Sequence, residues 1–148
     1  MKRSGFTLLE GLVVLAVLGV LLALATPSYL RWRANTVTNE AALQFARDIE
    51  RTRTEAKRRN TRMRIELASG TAAQGYLRID LASGARTSIS LPPGVRLERL
   101  GASMGATFSP PYGTTDAPLR SFAIFWQNDA SITRTIRVVG VTGKVIVQ

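Results

Sequence analysis

Residues 6–26 hold 16 apolar positions out of 21, and no charged side chain interrupts the run from Gly11 to Leu30. Twenty helical residues rise about 30 Å, the hydrocarbon thickness of a bilayer. Tyr29 and Trp32 stand at the far end, where amphipathic rings favour the membrane interface, and Arg31 and Arg33 follow. Lys2, Arg3 and the terminal amine favour an N-terminus on the cytoplasmic side.

Residues 28–60 continue the helix with a different pattern. Ala42, Phe45, Ala46, Ile49 and Ala56 recur at spacings of three, four and seven, a stripe suited to facing a sheet. A helix from Phe6 to Asn60 would run about 80 Å. From Arg62 the period falls to two. Met63, Ile65 and Leu67 alternate with polar residues, as do Leu77, Ile79 and Leu81, then Ile89 and Leu91. Val95 to Arg99, Phe122 to Trp126, Ile132 to Val138 and Val145 to Val147 complete the predicted strands, with Gly and Pro between them. The stretch from Gly101 to Pro118, rich in Gly, Ser, Thr and Pro, predicts a long loop. One long helix followed by antiparallel strands is an α+β plan.

The chain has 148 residues, enough for one domain, with no cysteine and no histidine. That excludes disulfides, thiolate or imidazole metal sites, and any nucleophile paired with His or Cys. Asp48 and Glu50 are two apart on a helix and do not share a face, and Asp116 and Asp129 are isolated. No phosphate-binding loop is present. No enzyme activity, metal or cofactor is expected.

Formal charge is +10, with 20 basic residues, mostly Arg, against 10 acidic. Residues 47–64 alone carry eight basic side chains against three acidic ones. Two readings compete: a solvated helix face in which Glu55 pairs with Arg58 or Arg59, or a grip on a polyanion. For the grip, the candidates are Arg58, Arg59 and Arg62 at the helix end and Arg134, Arg137 and Lys144 near the C-terminus. In a strand, positions 134 and 137 point to opposite faces.

Glu10 lies inside the apolar run, where a carboxylate costs several kcal/mol unless paired. No basic side chain within the run can reach it, so a cation from another molecule is the sharper reading. Gly5-Phe6-Thr7-Leu8-Leu9-Glu10, behind a short basic leader, resembles the processing motif of type IV prepilins and pseudopilins. The resemblance implies that prepilin peptidase cuts between Gly5 and Phe6 and methylates the Phe6 amine. Glu10 would then neutralise that amine on a neighbouring subunit, each charge relieving the other. It also implies a kink at Pro27, whose ring removes a backbone donor and crowds the Ala23 carbonyl. Gly11 departs from the bulky apolar residue usual in such proteins. The rival is ordinary secretion: Ala23-Leu24-Ala25 is an acceptable signal-peptidase site that would leave Thr26 first, but Glu10 is unhelpful in a signal peptide.

These expectations divide the chain into a leader (1–5), a transmembrane and filament-core helix (6–28) and a globular part (29–148). Arg53-Thr54-Glu55-Ala56-Lys57-Arg58-Arg59-Asn60 and the Gly143-Lys144-Val145 hairpin are further similar to the GspH/FimT group of minor pilins and pseudopilins. That resemblance implies two small sheets packed on the helix and a place at or near a filament tip. It also implies assembly with other pilins or pseudopilins on an inner-membrane platform. The chain would sit in the inner membrane with its C-terminal part outside the cytoplasm, then in a surface or periplasmic filament. A type II secretion minor pseudopilin remains an alternative. Some members bind DNA through a C-terminal Gly-Arg-x-Arg motif; here Gly143-Lys144-Val145-Ile146 keeps one of its two charges.

Overall fold

The computed structural model describes residues 8–101, 105–140 and 142–148. Gly5 and Phe6, with the whole leader, lie outside the described residues. One helix, α1, spans Leu8–Arg59. By internal contacts the chain forms two units that divide between Ala34 and Asn35.

In the first unit the helix exposes nearly every described side chain from Leu8 to Arg33. Its most apolar window has a mean hydropathy of 2.7 and buries nothing. Such a surface is costly in water at about 25 cal/mol per Å² and costs nothing in lipid, so length and composition suit a membrane span. Pro27 lies inside α1, and Thr26 Oγ1 donates to the Leu22 carbonyl at 2.7 Å.

In the second unit the residues of α1 from Asn35 onward bury the expected stripe: Ala42, Phe45, Ala46, Ile49 and Ala56, joined by Thr38, Ala41 and Thr52. The alanines let strands approach closely, and Phe45 and Ile49 supply the bulk. Its ring meets Tyr76 edge-on at 4.8 Å and Phe122 at 5.2 Å between centroids. The helix stops at Asn60, which takes φ 51. Its amide donates to the Lys57 carbonyl, and the Thr61 amide donates to that of Ala56. This paired closure satisfies two otherwise orphaned carbonyls, and Asn tolerates the left-handed backbone it requires.

Two antiparallel sheets follow, as the pilin resemblance implied. The first contains β1 (Met63–Leu67), β3 (Gly75–Asp80), β4 (Arg86–Ser90), β6 (Gly105–Ser109) and β7 (Thr114–Thr115), in the order β4-β3-β1-β6-β7. The second contains β2 (Ala72–Ala73), β5 (Val95–Leu100), β8 (Leu119–Trp126), β9 (Asp129–Val139) and β10 (Lys144–Val147), in the order β10-β9-β8-β5-β2. Tyr76 belongs to the first sheet and Phe122 to the second, so Phe45 touches both.

Two expectations are corrected. The segment 101–118 is not one loop: β6 runs inside it, pairs with β1 and is almost wholly buried. Its small residues resemble loop composition, yet they are what the packing admits. A Cβ on Gly105 would fall 2.1 Å from the Ile65 carbonyl oxygen. In β3, the alternation of Leu77 and Ile79 does not mark the helix-facing side, and Leu81 lies beyond the strand. Leu67 pairs with Tyr76, Ile65 with Arg78 and Met63 with Asp80. The inward face of β3 is therefore Tyr76, Arg78 and Asp80, because α1 offers Asp48, Glu55 and Arg59 to receive them.

Gly105→Ala should break the β1–β6 pairing and cost at least about 2–3 kcal/mol, by overpacking against a backbone that cannot yield. Chemical denaturation of the full chain in detergent, followed by near-ultraviolet circular dichroism, measures it.

Candidate functional site

Glu10 lies in the first described turn of α1, exposed, on a stretch of helix with no other charge before Arg31.

At the other end of α1, the basic residues separate into two populations. Along one flank they are paired. Glu55 receives Arg51 at 3.2 Å, Arg78 at 3.8 Å and Arg59 at 3.9 Å, and Arg59 also reaches Asp80 at 3.9 Å. The Asp80 carboxyl is held below its usual range first by the amides of Ala82 and Ser83, which donate to Oδ1. Two turns earlier on α1, Asp48 Oδ2 accepts from the Tyr76 hydroxyl at 2.5 Å. Burial and then that hydrogen bond raise the Tyr76 phenol well above its ordinary value. The expected pairing of Glu55 with Arg59 is present, and Arg59 is thereby committed to the helix–sheet seam.

The opposite flank carries Arg53 and Lys57, with Glu50 on the same side of the helix. The Arg53 Nε donates to the Gly113 carbonyl at 3.2 Å. A methyl group placed on Gly113 would fall 2.8 Å from Arg53 Cγ and 2.9 Å from Lys57 Cε, so both stems lie over the β6–β7 turn. Gly143, at the tip of the β9–β10 hairpin, rests against Arg53 Cδ, Phe108 and Thr115, and Thr115 Oγ1 donates to the Gly140 carbonyl at 2.9 Å. The helix end and the C-terminal hairpin therefore border the same turn. Arg53, Lys57, Arg58, Arg62 and Lys144 form no ion pair among the described residues.

Register places the C-terminal candidates. Lys144 pairs with Val139, and Ile146 with Arg137. Arg137 and Lys144 thus share the outer face of the second sheet on diagonal positions, about 7–8 Å apart by the usual spacing. Arg134 pairs with Ile124 on the inner face, between Ile132 and Ile136, and donates to the Thr133 carbonyl. It does not join the other two. Arg58 and Arg62 are exposed. Two residues went unnoticed in sequence: Lys57 as part of a separate flank, and Tyr112, which is 75 % exposed at the tip of the β6–β7 turn. The run Pro110-Pro111-Tyr112-Gly113 was the available signal, since such a turn displays the side chain it carries. Among the described residues no three acidic side chains gather as a metal site.

The first 26 residues match the prokaryotic N-terminal methylation motif. Over 77 residues the chain is 43% identical to the pilin-like protein PilA1 of Thermus thermophilus, covering 52% of this chain and 47% of that one. The N-terminus of the chain thus resembles that of type IV pilins. The chain spans about half the length of that curated relative. Its fold matches the type IV minor pilin FimU of Pseudomonas aeruginosa in two crystal forms. One has TM-score 0.61 at 20% identity, covering 74% of this chain and 91% of FimU; the other has 0.59 at 18%, covering 80% and 90%. The sheets and helix of this pilin-like chain thus follow the plan its N-terminus implied.

Tyr76→Phe should cost about 1.5–3 kcal/mol, the usual value of a hydrogen bond to a charged group. Because the native phenol keeps its proton above the ordinary value of 10.0, the folded state binds more protons than the unfolded chain there, and stability falls as pH rises past that value. Denaturant midpoints taken between neutral pH and pH ~11 should show that decline weakened in the variant.

Proposed function

We propose that this chain is a minor subunit of a type IV pilus-like filament, cut between Gly5 and Phe6 by prepilin peptidase and held in the cytoplasmic membrane until it assembles. The run Gly5-Phe6-Thr7-Leu8-Leu9-Glu10 at the head of a lipid-length apolar helix carries the reading. A carboxylate at that depth is costly in lipid, and a cation from a second subunit lowers the cost. The methylated Phe6 amine of a neighbouring subunit supplies one at the matching depth, and a filament core built of such helices removes both charges from lipid together. Pro27, which leaves the Ala23 carbonyl without its helical donor, is where the helix would bend to enter that core. The assembly platform of the inner membrane and the other pilins are the partners this requires. A type II secretion pseudopilin would use the same N-terminus, and the filament with which the chain co-purifies separates the two.

A second reading has its own observation: Arg137 and Lys144 share one exposed sheet face, a footprint for the phosphates of duplex DNA during uptake. Reversing both charges should reduce duplex binding by the full chain in detergent and flatten the salt dependence by about two units. No binding at ~50 mM salt would remove this role and leave the filament subunit.

Mass spectrometry of the membrane fraction should find a mature chain beginning at N-methylated Phe6. A start at Thr26 would instead mean plain secretion. Glu10→Ala should leave cleavage and membrane insertion intact and reduce incorporation into filaments at least about tenfold, given the energy of the pair it loses. Normal incorporation would show that Glu10 has no assembly role.

A further inference from the structure

We propose that Tyr29, Arg31, Trp32 and Arg33 form a collar that gathers phospholipids with net-negative headgroups around α1, in the leaflet away from the N-terminus. The inference rests on the membrane reading above and concerns the apolar unit of the helix alone.

The uncharged run from Gly11 to Leu30 ends at Arg31. Those twenty residues rise about 30 Å, so Arg31 leaves the hydrocarbon at the far headgroup layer. The helix continues through this point. Tyr29 and Trp32 are 58 % and 62 % exposed, with Arg31 and Arg33 exposed beside them. The two rings lie 5.9 Å apart, inclined at 35°. As neighbours at i and i+3 they make one amphipathic surface of the kind that settles at a membrane interface.

The angular spread of the charges separates lipid from protein as the partner. At about 100° per residue, Arg31 and Arg33 leave the helix on opposite sides of Trp32, about 200° apart. A packed protein surface covers one stripe of a helix, about 100° wide or somewhat more. It does not take both arginines together with the rings, whereas headgroups surround the helix on all sides.

The sign of the charge selects the headgroup. Cleavage between Gly5 and Phe6, as proposed above, removes Lys2 and Arg3. From Phe6 to Ala46, Arg31 and Arg33 are then the only side-chain cations. Basic residues beyond the far end of a span run against the usual bias toward the cytoplasmic side, so their position asks for a counter-charge there. A guanidinium fork matches two phosphate oxygens at once. A zwitterionic headgroup brings its own cation beside the phosphate, and a phosphatidylglycerol headgroup does not.

The test reconstitutes the full chain into phosphatidylcholine vesicles with a minority of phosphatidylglycerol. Trp126→Phe leaves Trp32 as the sole tryptophan. Bromine on the acyl chains of one lipid or the other quenches Trp32 in proportion to the neighbours of each headgroup. Phosphatidylglycerol should be favoured over phosphatidylcholine by up to about thirtyfold, at about fivefold per arginine. Arg31→Gln/Arg33→Gln should bring that ratio to one, and high salt should lower it in the unsubstituted collar. Arg58→Gln/Arg62→Gln, exposed at the other end of α1, should leave it unchanged. Should Trp126→Phe unfold the globular unit, the ratio follows from the native chain after subtracting the signal of Trp32→Phe. Equal quenching by the two lipids overturns the proposal and would assign the arginines to an acidic protein partner. An equal fall in the Arg58→Gln/Arg62→Gln variant also overturns it, because net charge would then be the attractant. No quenching by either lipid would overturn the membrane span itself and the collar with it.

Discussion

The globular unit depends on one wedge. Phe45 stands on the buried face of α1 and places its ring edge-on against Tyr76 of the first sheet and Phe122 of the second. Each sheet presents one apolar face and neither can bury it alone. The helix supplies a shared surface, but Ala41, Ala42, Ala46 and Ala56 are too small to fill it. One large aromatic among alanines keeps the strands close to the helix while occupying the space where the sheets converge. Aromatic pairs of this geometry contribute about 0.5–1.5 kcal/mol beyond their buried area.

Tyr76 links that wedge to the polar seam beside it. Its ring packs on Phe45 and its hydroxyl donates to Asp48, so the same side chain closes the apolar core and begins the row continued by Arg78 and Asp80. That row engages two acidic residues of the helix, Asp48 and Glu55. Glu55 alone engages three arginines. Exposed pairs of this sort contribute little stability individually, but they determine where positive charge remains. On the other flank Arg53 and Lys57 lie over the β6–β7 turn with no ion pair among the described residues.

The apolar half of α1 obeys a different solvent. Its described side chains are nearly all exposed and nearly all apolar. Within such a segment composition is nearly free, provided that it is apolar, and a single carboxylate stands out as a specific requirement. Glu10 is thus informative for the same reason that it is expensive.

How much could be read without the structure follows from this division. The membrane-length helix, its Glu10, the core stripe through Phe45 and most strands were legible because each is a local pattern: a run, a period of 3.6 or a period of two. The segment 101–118 was not, since β6 is built from Gly105, Ala106 and Thr107, whose suitability is set by the Ile65 carbonyl pressing on them. Nor was the inward face of β3. Tyr76, Arg78 and Asp80 look like a solvent face until Asp48, Glu55 and Arg59 are brought over them. Of the six basic candidates, strand parity already set Arg134 and Arg137 on opposite faces. Register added that Lys144 shares the face of Arg137, and packing committed Arg59 to carboxylates while leaving Arg62 beside Pro110. Local pattern specifies which element a residue joins. Which charges survive unpaired depends on what distant segments place beside them, and that is a property of the tertiary structure.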